Sequence, residues 1–487
     1  MPLRAEGGPL PGEPQLLSSR YVRGPNASSP PSFRFVDLFA GVGGFHHALA
    51  DLGGDCVLAV ELDEECRRVY QASFPEMDPS QIQDDIRRLT RGSPRPGAAD
   101  LGLDQVRERV PEHEVLCAGF PCQPFSKSGF QHGVRDRTRG TLFFDIMSIV
   151  LARQPEFVIL ENVRNLAGPR HEDTWWTIVE SLRDAGYCVS DEPVVLSPHL
   201  LSPDLGGAPQ VRDRVFVLAR RLPSTSAIEL RHGQPLARRE PTAGWDPDDW
   251  SVADILDDDV DMSIYGIRDV ERTWLEAWQA FVQGIDAETL PGFPIWVDAF
   301  RVRPVIGPGT PRWKEDFLRK NSAFYNEHRG FLDSWRRERW GPLGLKVAEF
   351  VPSRRKLEWQ ARKAQPWSHD RDLEGLVAHF RPSGVRVKPP SYLPALVAIT
   401  QTSVLGPQIT GTDWRRVTPR EAARLQDIPF RGFVAAEVAD KTIYKQLGNA
   451  VNVGVARHLA RRLFDDGDAP WCNFGRLSTA GQWLVNH

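Results

Sequence analysis

Short apolar runs alternate with segments of helical periodicity from Phe33 to about Arg221. The apolar runs have the length of buried strands, and the segments between them repeat apolar residues at the spacing of one helix face. This alternation predicts βαβ units and a mostly parallel sheet. The predicted strands are 33–39, 56–62, 113–119, 157–163, 188–196 and 214–220, and the predicted helices include 44–52, 64–73, 142–153 and 174–185.

The pattern changes after Pro223. Residues 245–261 contain eight Asp and no Lys or Arg, whereas residues 301–363 contain 16 Lys and Arg against 7 Asp and Glu. Ten of the 15 Trp lie between Trp245 and Trp367. Segregated positive charge with interleaved aromatic residues predicts a separate lobe that faces a polyanion. An irregular insert whose tryptophans form a small core of their own is an equal alternative. The acidic run lacks the Gly and Glu spacing of a calcium loop and predicts a solvated loop.

Apolar periodicity returns at about Ser391. Residues 417–429 predict a helix, because Thr418 is a good N-cap and Glu421 lies three residues later, as in a capping box. Residues 444–464 predict a loop that leads into an amphipathic helix.

A chain of 487 residues is too long for one ordinary core, so two lobes are expected. Hydrophobic residues make up 41% and charged residues 25%, which are globular values, and the net charge of −4 does not by itself indicate a polyanion binder. The expected division is a flexible leader at 1–32, a catalytic domain at 33–222, an inserted domain at 223–390, a return to the catalytic domain at 391–464 and a tail at 465–487.

The six cysteines contain no CxxC pair and no Cys/His pair with zinc spacing, so neither a disulfide framework nor a metal site is predicted. No segment approaches 18 uninterrupted apolar residues, and the N-terminus lacks the apolar stretch of a secretory signal. These features predict a soluble cytoplasmic protein with no membrane contact.

Cys122 lies between two prolines in the sequence GFPCQPFSKSG, directly after a predicted strand. Pro121 and Pro124 fix φ on both sides of it and stiffen the loop. A thiol held rigidly at the mouth of a strand is typical of a nucleophile. The alternative is a small buried apolar residue, which is what most free cysteines are.

Three glycines follow the first predicted strand, at Gly41, Gly43 and Gly44. They allow a tight turn and a close approach of the backbone to a ligand at a helix N-terminus. Glu61 ends the next strand, where a carboxylate can bind the two hydroxyls of a ribose. The spacing is not GxGxxG, so a dinucleotide is less favoured than S-adenosylmethionine.

Two further groups of polar residues follow predicted strands. Glu161 and Asn162 end the strand 157–163, on the rim of the sheet where Cys122 is expected. Gln210, Arg212 and Arg214 alternate at period two, which predicts three side chains on one face of a strand. The two arginines could hold a phosphate or a pyrimidine oxygen.

Seven motifs in this chain resemble, in the same order, those of the DNA cytosine-5 methyltransferases. The resemblance covers roughly 34–221 and 391–464. The motifs are DLFAGVGG (37–44), GFPCQPFS (119–126), RGTLFFDI (139–146), ENV (161–163), QVRDR (210–214), VTPREAARLQDIP (417–429) and YKQLGNAVNVGVA (444–456). The resemblance implies an α/β fold, a Rossmann-like S-adenosylmethionine-dependent methyltransferase sheet, with a smaller target-recognition domain inserted before the C-terminal motifs.

The resemblance also implies roles for single residues. Asp84 could replace Asp85 as the adenine contact, since the usual Gly before the Asp is absent, but Asp85 is preferred. The catalytic residues are Cys122, Glu161, Arg212 and Arg214; the cofactor is bound by Phe39, Gly41, Gly43, Gly44, Glu61, Leu62, Asp85, Ile86, Leu142, Asn449 and Val451; and the substrate is bound by Pro121, Gln123, Ser128, Asn162, Gln210, Arg381, Arg386 and Lys388.

The implied reaction is methyl transfer from S-adenosylmethionine to C5 of a flipped-out cytosine in double-stranded DNA, through a covalent adduct of Cys122 with C6. The lack of further modules resembles bacterial restriction-modification or phage-defence enzymes. The expected enzyme acts as a monomer on DNA and has a cognate restriction endonuclease as a possible partner. A tRNA methyltransferase, whose CFT tripeptide is absent here, and a non-catalytic DNA-binding homologue are the alternatives.

Overall fold

The computed structural model of the chain describes residues 33–95, 97–121, 142–189, 192–221, 241–286, 290–361, 371–396 and 403–465. These residues fall into two compact units. The first runs to Ala208 and also includes Arg212–Trp245 and the chain from Ala423 onward, and the second comprises Pro209–Val211 and Asp246–Ala422. The second unit therefore extends beyond residue 390, where we expected the inserted domain to end.

The strands are β1 (Phe33–Leu38), β2 (Gly54–Val60), β3 (Ile82–Gln83), β4 (Val115–Gly119), β5 (Phe157–Val163), β6 (Tyr187–Val189), β7 (Val194–Leu196), β8 (Gln210–Val211), β9 (Arg214–Arg221), β10 (Ile295–Trp296), β11 (Lys356–Trp359), β12 (Val377–Arg381), β13 (Gly384–Lys388), β14 (Leu393–Pro394), β15 (Ser403–Leu405) and β16 (Arg415–Arg416). The α-helices are α1 (Gly44–Ala50), α2 (Glu64–Ser73), α3 (Ile86–Thr90), α4 (Leu103–Arg109), α5 (Leu142–Arg153), α6 (Glu172–Asp184), α7 (Met262–Tyr265), α8 (Asp269–Gly284), α9 (Arg312–Glu327), α10 (Arg329–Arg337), α11 (Pro407–Thr410), α12 (Pro419–Arg424), α13 (Arg431–Ala435), α14 (Asp440–Asn449) and α15 (Val453–Asp465).

The first unit is built on an eight-stranded sheet with the order β3-β2-β1-β4-β5-β9-β6, in which β7 also pairs with β9. Strands β3, β2, β1, β4 and β5 pair in parallel, whereas β5, β6 and β7 are antiparallel to β9. The predicted mostly parallel, Rossmann-like sheet is confirmed. Because parallel strands end at one edge, the loops after β1, β2, β4 and β5 lie side by side there.

The second unit has a six-stranded sheet with the order β10-β11-β13-β12-β15-β16 and a two-stranded parallel sheet of β8 and β14. Its core contains the buried tryptophans Trp274, Trp278, Trp335 and Trp359. For these four residues the core interpretation of the Trp-rich region is therefore correct. Trp313, in contrast, is 61% exposed.

Two predicted elements are wrong. The region 188–196 is not one strand, because β6 and β7 pair separately with β9. The expected loop at the start of 444–464 is helix α14, and the chain then turns and begins α15 at Val453. The side-chain oxygen of Asn452 accepts the backbone N–H of Val455 at 2.9 Å, so Asn452 marks the start of α15.

Candidate active site

The loop after β1 turns sharply onto helix α1. Phe39 has a φ of 58°, Gly41 of 57° and Gly43 of 89°. A non-glycine residue in this left-handed region costs about 1–2 kcal/mol, so the surrounding structure must hold Phe39 in place. A Cβ on Gly44 would lie 2.3 Å from the carbonyl oxygen of Val451, whereas a Cβ on Gly41 would meet nothing within 4 Å. The loop is therefore tightly packed at Gly44 and open at Gly41, where a ligand can approach the backbone.

Glu61 follows β2 and reaches this glycine loop. One of its carboxylate oxygens accepts the backbone N–H of Gly41 at 2.8 Å, and the other accepts that of Asp63 at 2.8 Å. Each oxygen keeps lone pairs for further donors, which the two hydroxyls of a ribose supply. Leu62, the next residue, is 69% exposed. The structure thus brings Glu61 to Gly41, and the role of Gly41, Glu61 and Leu62 in binding the cofactor stays a prediction.

Asp85 and Ile86 begin helix α3 beside β3. Asp85 accepts the backbone N–H of Arg87 at 2.9 Å and pairs with its guanidinium at 2.6 Å. Burial raises the pKa of Asp85, but the hydrogen bonds from Arg87 outweigh burial and leave the pKa below its ordinary value. Asp84 instead pairs with Arg88 at the surface. The preference for Asp85 over Asp84 as the adenine contact stays a prediction.

The turn between α14 and α15 closes against the glycine loop. Val451 is 8% exposed, and its carbonyl oxygen occupies the space that a side chain at position 44 would need. Its Cγ2 methyl group also lies 3.3 Å from where a Cβ on Gly119 would be. Asn449 is exposed at the end of α14, and Leu142 is half-buried at the start of α5. Val451 thereby packs against both the glycine loop after β1 and the end of β4.

Arg212 holds this turn. Its two terminal nitrogens donate to the carbonyls of Gly448 at 2.9 Å and Ala450 at 2.6 Å, and the side chain is fully buried. Burial, together with the like charge of Arg214, lowers the pKa of Arg212 to about 9. The prediction that Gln210, Arg212 and Arg214 share one continuous strand is wrong, because β8 ends before Arg212 and β9 begins after Asp213.

Glu161 lies at the carboxyl end of β5, opposite Gly119 of β4. Nε of Arg214 lies 3.0 Å from its Oε1. Burial raises the pKa of Glu161 above its ordinary value, and the positive charges of Arg214 and Arg212 act in the opposite direction. A buried carboxyl group with a raised pKa holds a proton more readily than a surface glutamate, so it can donate a hydrogen bond to a ring nitrogen.

Asn162 fixes the backbone that leads to the predicted nucleophile. Its Nδ2 donates to the carbonyl of Phe120 at 2.9 Å, and its Oδ1 accepts the backbone N–H of Val163 at 2.8 Å. Its side chain therefore positions the loop after β4 at Phe120, and its role as a substrate contact stays a prediction. Pro121 follows and is exposed. Cys122, Gln123 and Ser128 lie outside the described residues.

Asp37, the penultimate residue of β1, is a buried acid to which we assigned no role. Burial raises its pKa to about 8, and the hydrogen bond from Cys117 opposes that rise. Its Oδ1 lies 3.7 Å from the sulfur of Cys117, and among the described residues its Oδ2 has no hydrogen-bond partner. The sequence feature that could have drawn attention to Asp37 is its position between Val36 and Leu38 in an otherwise apolar strand.

The basic residues that we predicted to contact DNA lie on one hairpin of the second unit. Arg386 and Lys388 alternate along β13 and share a face, and Arg381 ends the neighbouring strand β12. Glu358 lies 2.7 Å from Arg386 and 3.7 Å from Arg381. Burial, together with the charges of Arg386 and Arg381, lowers the pKa of Lys388. Gln210, also a predicted substrate contact, is fully buried in β8.

Comparison with known proteins identifies the family. A sequence profile of the C-5 cytosine-specific DNA methylases matches residues 33–255 and 335–465. The chain belongs to this family. The methylase is 38% identical to the Type II methyltransferase M.AluI of Cellulosimicrobium cellulans over 93% of its own length and 95% of that protein. It is 30% identical to the Type II methyltransferase M.BanI of Aneurinibacillus aneurinilyticus over 89% and 96% of the two chains.

The methylase is a DNA (cytosine-5-)-methyltransferase that uses S-adenosylmethionine. The carboxylate of Glu61 and the open side of Gly41 fit such a ribose-bearing cofactor. No helix in the described ranges is long and apolar enough to cross a membrane. Within the same ranges, no group of three His, Cys, Asp or Glu side chains is arranged to hold a metal ion.

Proposed function

We propose that this methylase modifies C5 of one cytosine within a specific double-stranded DNA sequence, and that it protects host DNA in a restriction-modification or phage-defence system. Similarity to Type II methyltransferases over nearly the whole chain supports this setting. The observation that carries the mechanism is the position of Glu161. It lies at the end of β5 opposite Gly119, from which the chain continues to Cys122.

The cofactor site in this proposal is the edge formed by the glycine loop, Glu61 and the turn at Val451. Glu61 would bind the ribose hydroxyls, and the backbone at Gly41 would line the open side. Phe39, Leu62, Asp85, Ile86, Leu142 and Asn449 complete the predicted wall. S-adenosylmethionine supplies an electrophilic methyl group when bound there.

The chemistry begins with Cys122, because C5 of cytosine is a poor nucleophile. Its thiolate forms a bond to C6, and the electrons of the C5–C6 double bond make C5 nucleophilic. Glu161 donates a hydrogen bond to N3 and stabilises the adduct, and Arg214 keeps the carboxyl group in place. Once C5 carries the methyl group that the cofactor would supply, loss of the C5 proton to a base lets Cys122 depart by elimination. Only the thiolate is competent, and the sequence predicts that a positive neighbour such as Arg212 or Arg214 favours it.

A stacked cytosine cannot reach these groups, so the base must flip out of the duplex at a cost of a few kcal/mol. The sequence predicts that the segment 125–138, which lies outside the described residues, closes over the DNA through its glycines Gly129 and Gly133 and its basic residues Lys127, Arg135 and Arg137. Protease cleavage within it should slow when DNA and a non-transferring cofactor analogue are added together. Equal cleavage with and without them would exclude closure.

DNA recognition belongs to the second unit in this proposal. Arg381, Arg386 and Lys388 form a basic face that Glu358 neutralises only partly. The methylase would act as a monomer on DNA in the bacterial cytoplasm, alongside a cognate restriction endonuclease.

Expression in a bacterial host that lacks cytosine methylation tests the proposal. Bisulfite sequencing of the host DNA should show full protection of one cytosine in a single short sequence. Cells with Cys122→Ser should show none, although purified Cys122→Ser should still bind the duplex. In an incubation of the purified protein with labelled S-adenosylmethionine, DNA and tRNA, label on tRNA rather than DNA would favour the RNA enzyme. No label on either would favour a non-catalytic homologue.

A further inference from the structure

The segment that follows β10 and runs into the first turn of α9 carries a concentration of positive charge that the ion pairs of the second unit do not balance. Residues 299–314 contain Arg301, Arg303, Arg312 and Lys314 and no Asp or Glu. All four cations are exposed. Within the described chain, no carboxylate lies within ion-pair distance of any of them. We call this segment the 299–314 loop.

The cations just beyond this loop are different, because each has an acid one helical turn away. Arg319 pairs with Glu315 at 2.5 Å, and Lys320 pairs with Asp316 at 2.7 Å, both on α9. Their positive charge is therefore largely cancelled. The contrast leaves the four cations of the 299–314 loop without the acid partner that Arg319 and Lys320 have.

The same loop exposes apolar side chains. Val302 is 53% exposed, Val305 67% and Trp313 61%. Single exposed apolar residues are ordinary. An exposed indole among four cations, however, has the composition of a nucleic-acid contact, in which cations bind phosphates and an aromatic ring packs on the sugar or base.

Helix α9 holds the loop in a defined shape. Ser322 donates to the carbonyl of Arg301 at 2.7 Å, and Asn326 donates to that of Val302 at 3.0 Å. The hydroxyl of Thr310 donates to the carbonyl of Gly307 at 2.8 Å. Prolines at 304, 308 and 311 restrict φ further. A loop fixed in this way loses little conformational entropy when a partner binds.

We propose that the 299–314 loop binds the phosphodiester backbone of the DNA substrate. Arg301, Arg303, Arg312 and Lys314 contact phosphates, and Trp313 packs against the sugar-phosphate chain. The proposal rests on the proposed function, because it takes double-stranded DNA as the partner. Four exposed cations without nearby acids fit a polyanion better than a protein surface of mixed charge. The loop positions the duplex and does not read its sequence.

Fluorescence anisotropy with labelled duplexes tests this assignment. One duplex carries the sequence that bisulfite sequencing identifies, and the other carries the same bases in shuffled order. The test variant is Arg303→Ala/Arg312→Ala. The matched control, Arg319→Ala/Lys320→Ala, removes the same charge from the balanced positions on α9. Wild-type methyl transfer to DNA is measured in parallel, so that failure of the proposed function is recognised separately.

The test variant should bind both duplexes at least tenfold more weakly at physiological salt. Its plot of log affinity against log salt should be shallower by about two, since each lost phosphate contact removes about 0.9. The control should change affinity less than threefold. Trp313→Ala should weaken binding with an unchanged salt slope. Wild-type affinity in Arg303→Ala/Arg312→Ala, or a loss confined to the identified sequence, would overturn the assignment, and so would an equal loss in the control.

Discussion

At the scale of single residues, Arg214 controls how readily Glu161 holds a proton. The positive charge of Arg214 lowers the pKa of Glu161 against the effect of burial. Arg214→Gln should therefore raise that pKa further, by about one unit or more. If protonated Glu161 is the active form, the alkaline limb of the pH profile of kcat/KM should move to higher pH. Arg164→Gln, which removes an arginine 3.9 Å from Asp213 instead, should leave the limb in place. An unmoved limb in Arg214→Gln would exclude Glu161 as its origin.

Asp37 makes the stability of the first unit depend on pH. Its folded pKa of about 8 lies above the unfolded value of about 3.9. Between these values the folded chain keeps a proton that the unfolded chain loses, so stability falls as pH rises from about 4 to 8. Asp37→Asn should remove this pH-dependent loss. Relative to the wild type, its free energy of unfolding should therefore be larger at pH 8 than at pH 5, by up to a few kcal/mol. Thermal unfolding of the wild type and of Asp37→Asn at pH 5 and pH 8 measures this difference. If the stability of both proteins changed equally between the two pH values, the raised pKa of Asp37 would be contradicted.

The sequence predicts residues that follow strands better than residues whose partners are distant. Glu61, Glu161 and the glycines are where the strand ends predicted them, because strand boundaries are local features. The role of Arg212 was not predictable in this way. Its acceptors at 448 and 450 lie 236 and 238 residues further along the chain, and no local pattern records them.

At the scale of elements, two glycines in one loop should respond differently to alanine. Gly44→Ala places a methyl group 2.3 Å from a backbone oxygen of the α14–α15 turn, so it should lower both the melting temperature and cofactor affinity. Gly41→Ala meets nothing within 4 Å and should cost only about 1 kcal/mol for its left-handed φ. It should still weaken binding of S-adenosylhomocysteine at least tenfold in calorimetry. If Gly41→Ala bound S-adenosylhomocysteine with wild-type affinity, the glycine loop would not be part of the cofactor site.

The hydrogen bonds from Arg212 should matter most for the order of the turn between α14 and α15. Arg212→Ala leaves two buried carbonyls without donors, at about 1–3 kcal/mol each. We expect faster proteolysis between residues 448 and 453 and a higher KM for S-adenosylmethionine. An unchanged cleavage pattern with a lower kcat alone would instead assign Arg212 to the cytosine.

Element bounds could be predicted where capping and periodicity agreed. Helices 64–73 and 142–153 begin and end as predicted. The side chain of Asp63 caps the first of them by accepting two backbone N–H groups. Helix α14 was missed because Gly448 and Asn449 predict a loop, whereas in the structure they form its last turn. Tertiary contacts such as those with Arg212 outweigh that local preference.

At the scale of the whole molecule, each unit has a hydrophobic core of its own. One is built around β1, β4, β5 and α5, and the other around α8 and the six-stranded sheet. Scanning calorimetry should therefore show two transitions. S-adenosylhomocysteine at 100 times its Kd should stabilise only the first unit, by about 2.7 kcal/mol. A single unfolding transition would contradict the prediction that the two cores unfold independently. So would an equal shift of both transition temperatures on addition of the ligand.

The second unit is where prediction from sequence was weakest. Its composition indicated a basic, Trp-rich lobe, and the structure divides those features between a buried core and an exposed loop. The family profile leaves residues 256–334 unmatched, and the 299–314 loop lies inside that gap. Charge counts alone could not separate balanced cations such as Arg319 from unbalanced ones such as Arg303, because pairing is set by the fold.

The contact between Val451 and Gly44 has a consequence for protein synthesis. A ribosome releases the strands of the sheet long before it releases the turn that closes the wall at Gly44. A nascent chain can thus present Cys122 and Glu161 while it still lacks a closed pocket for the methyl donor. Methylation would begin only after residue 465 has emerged.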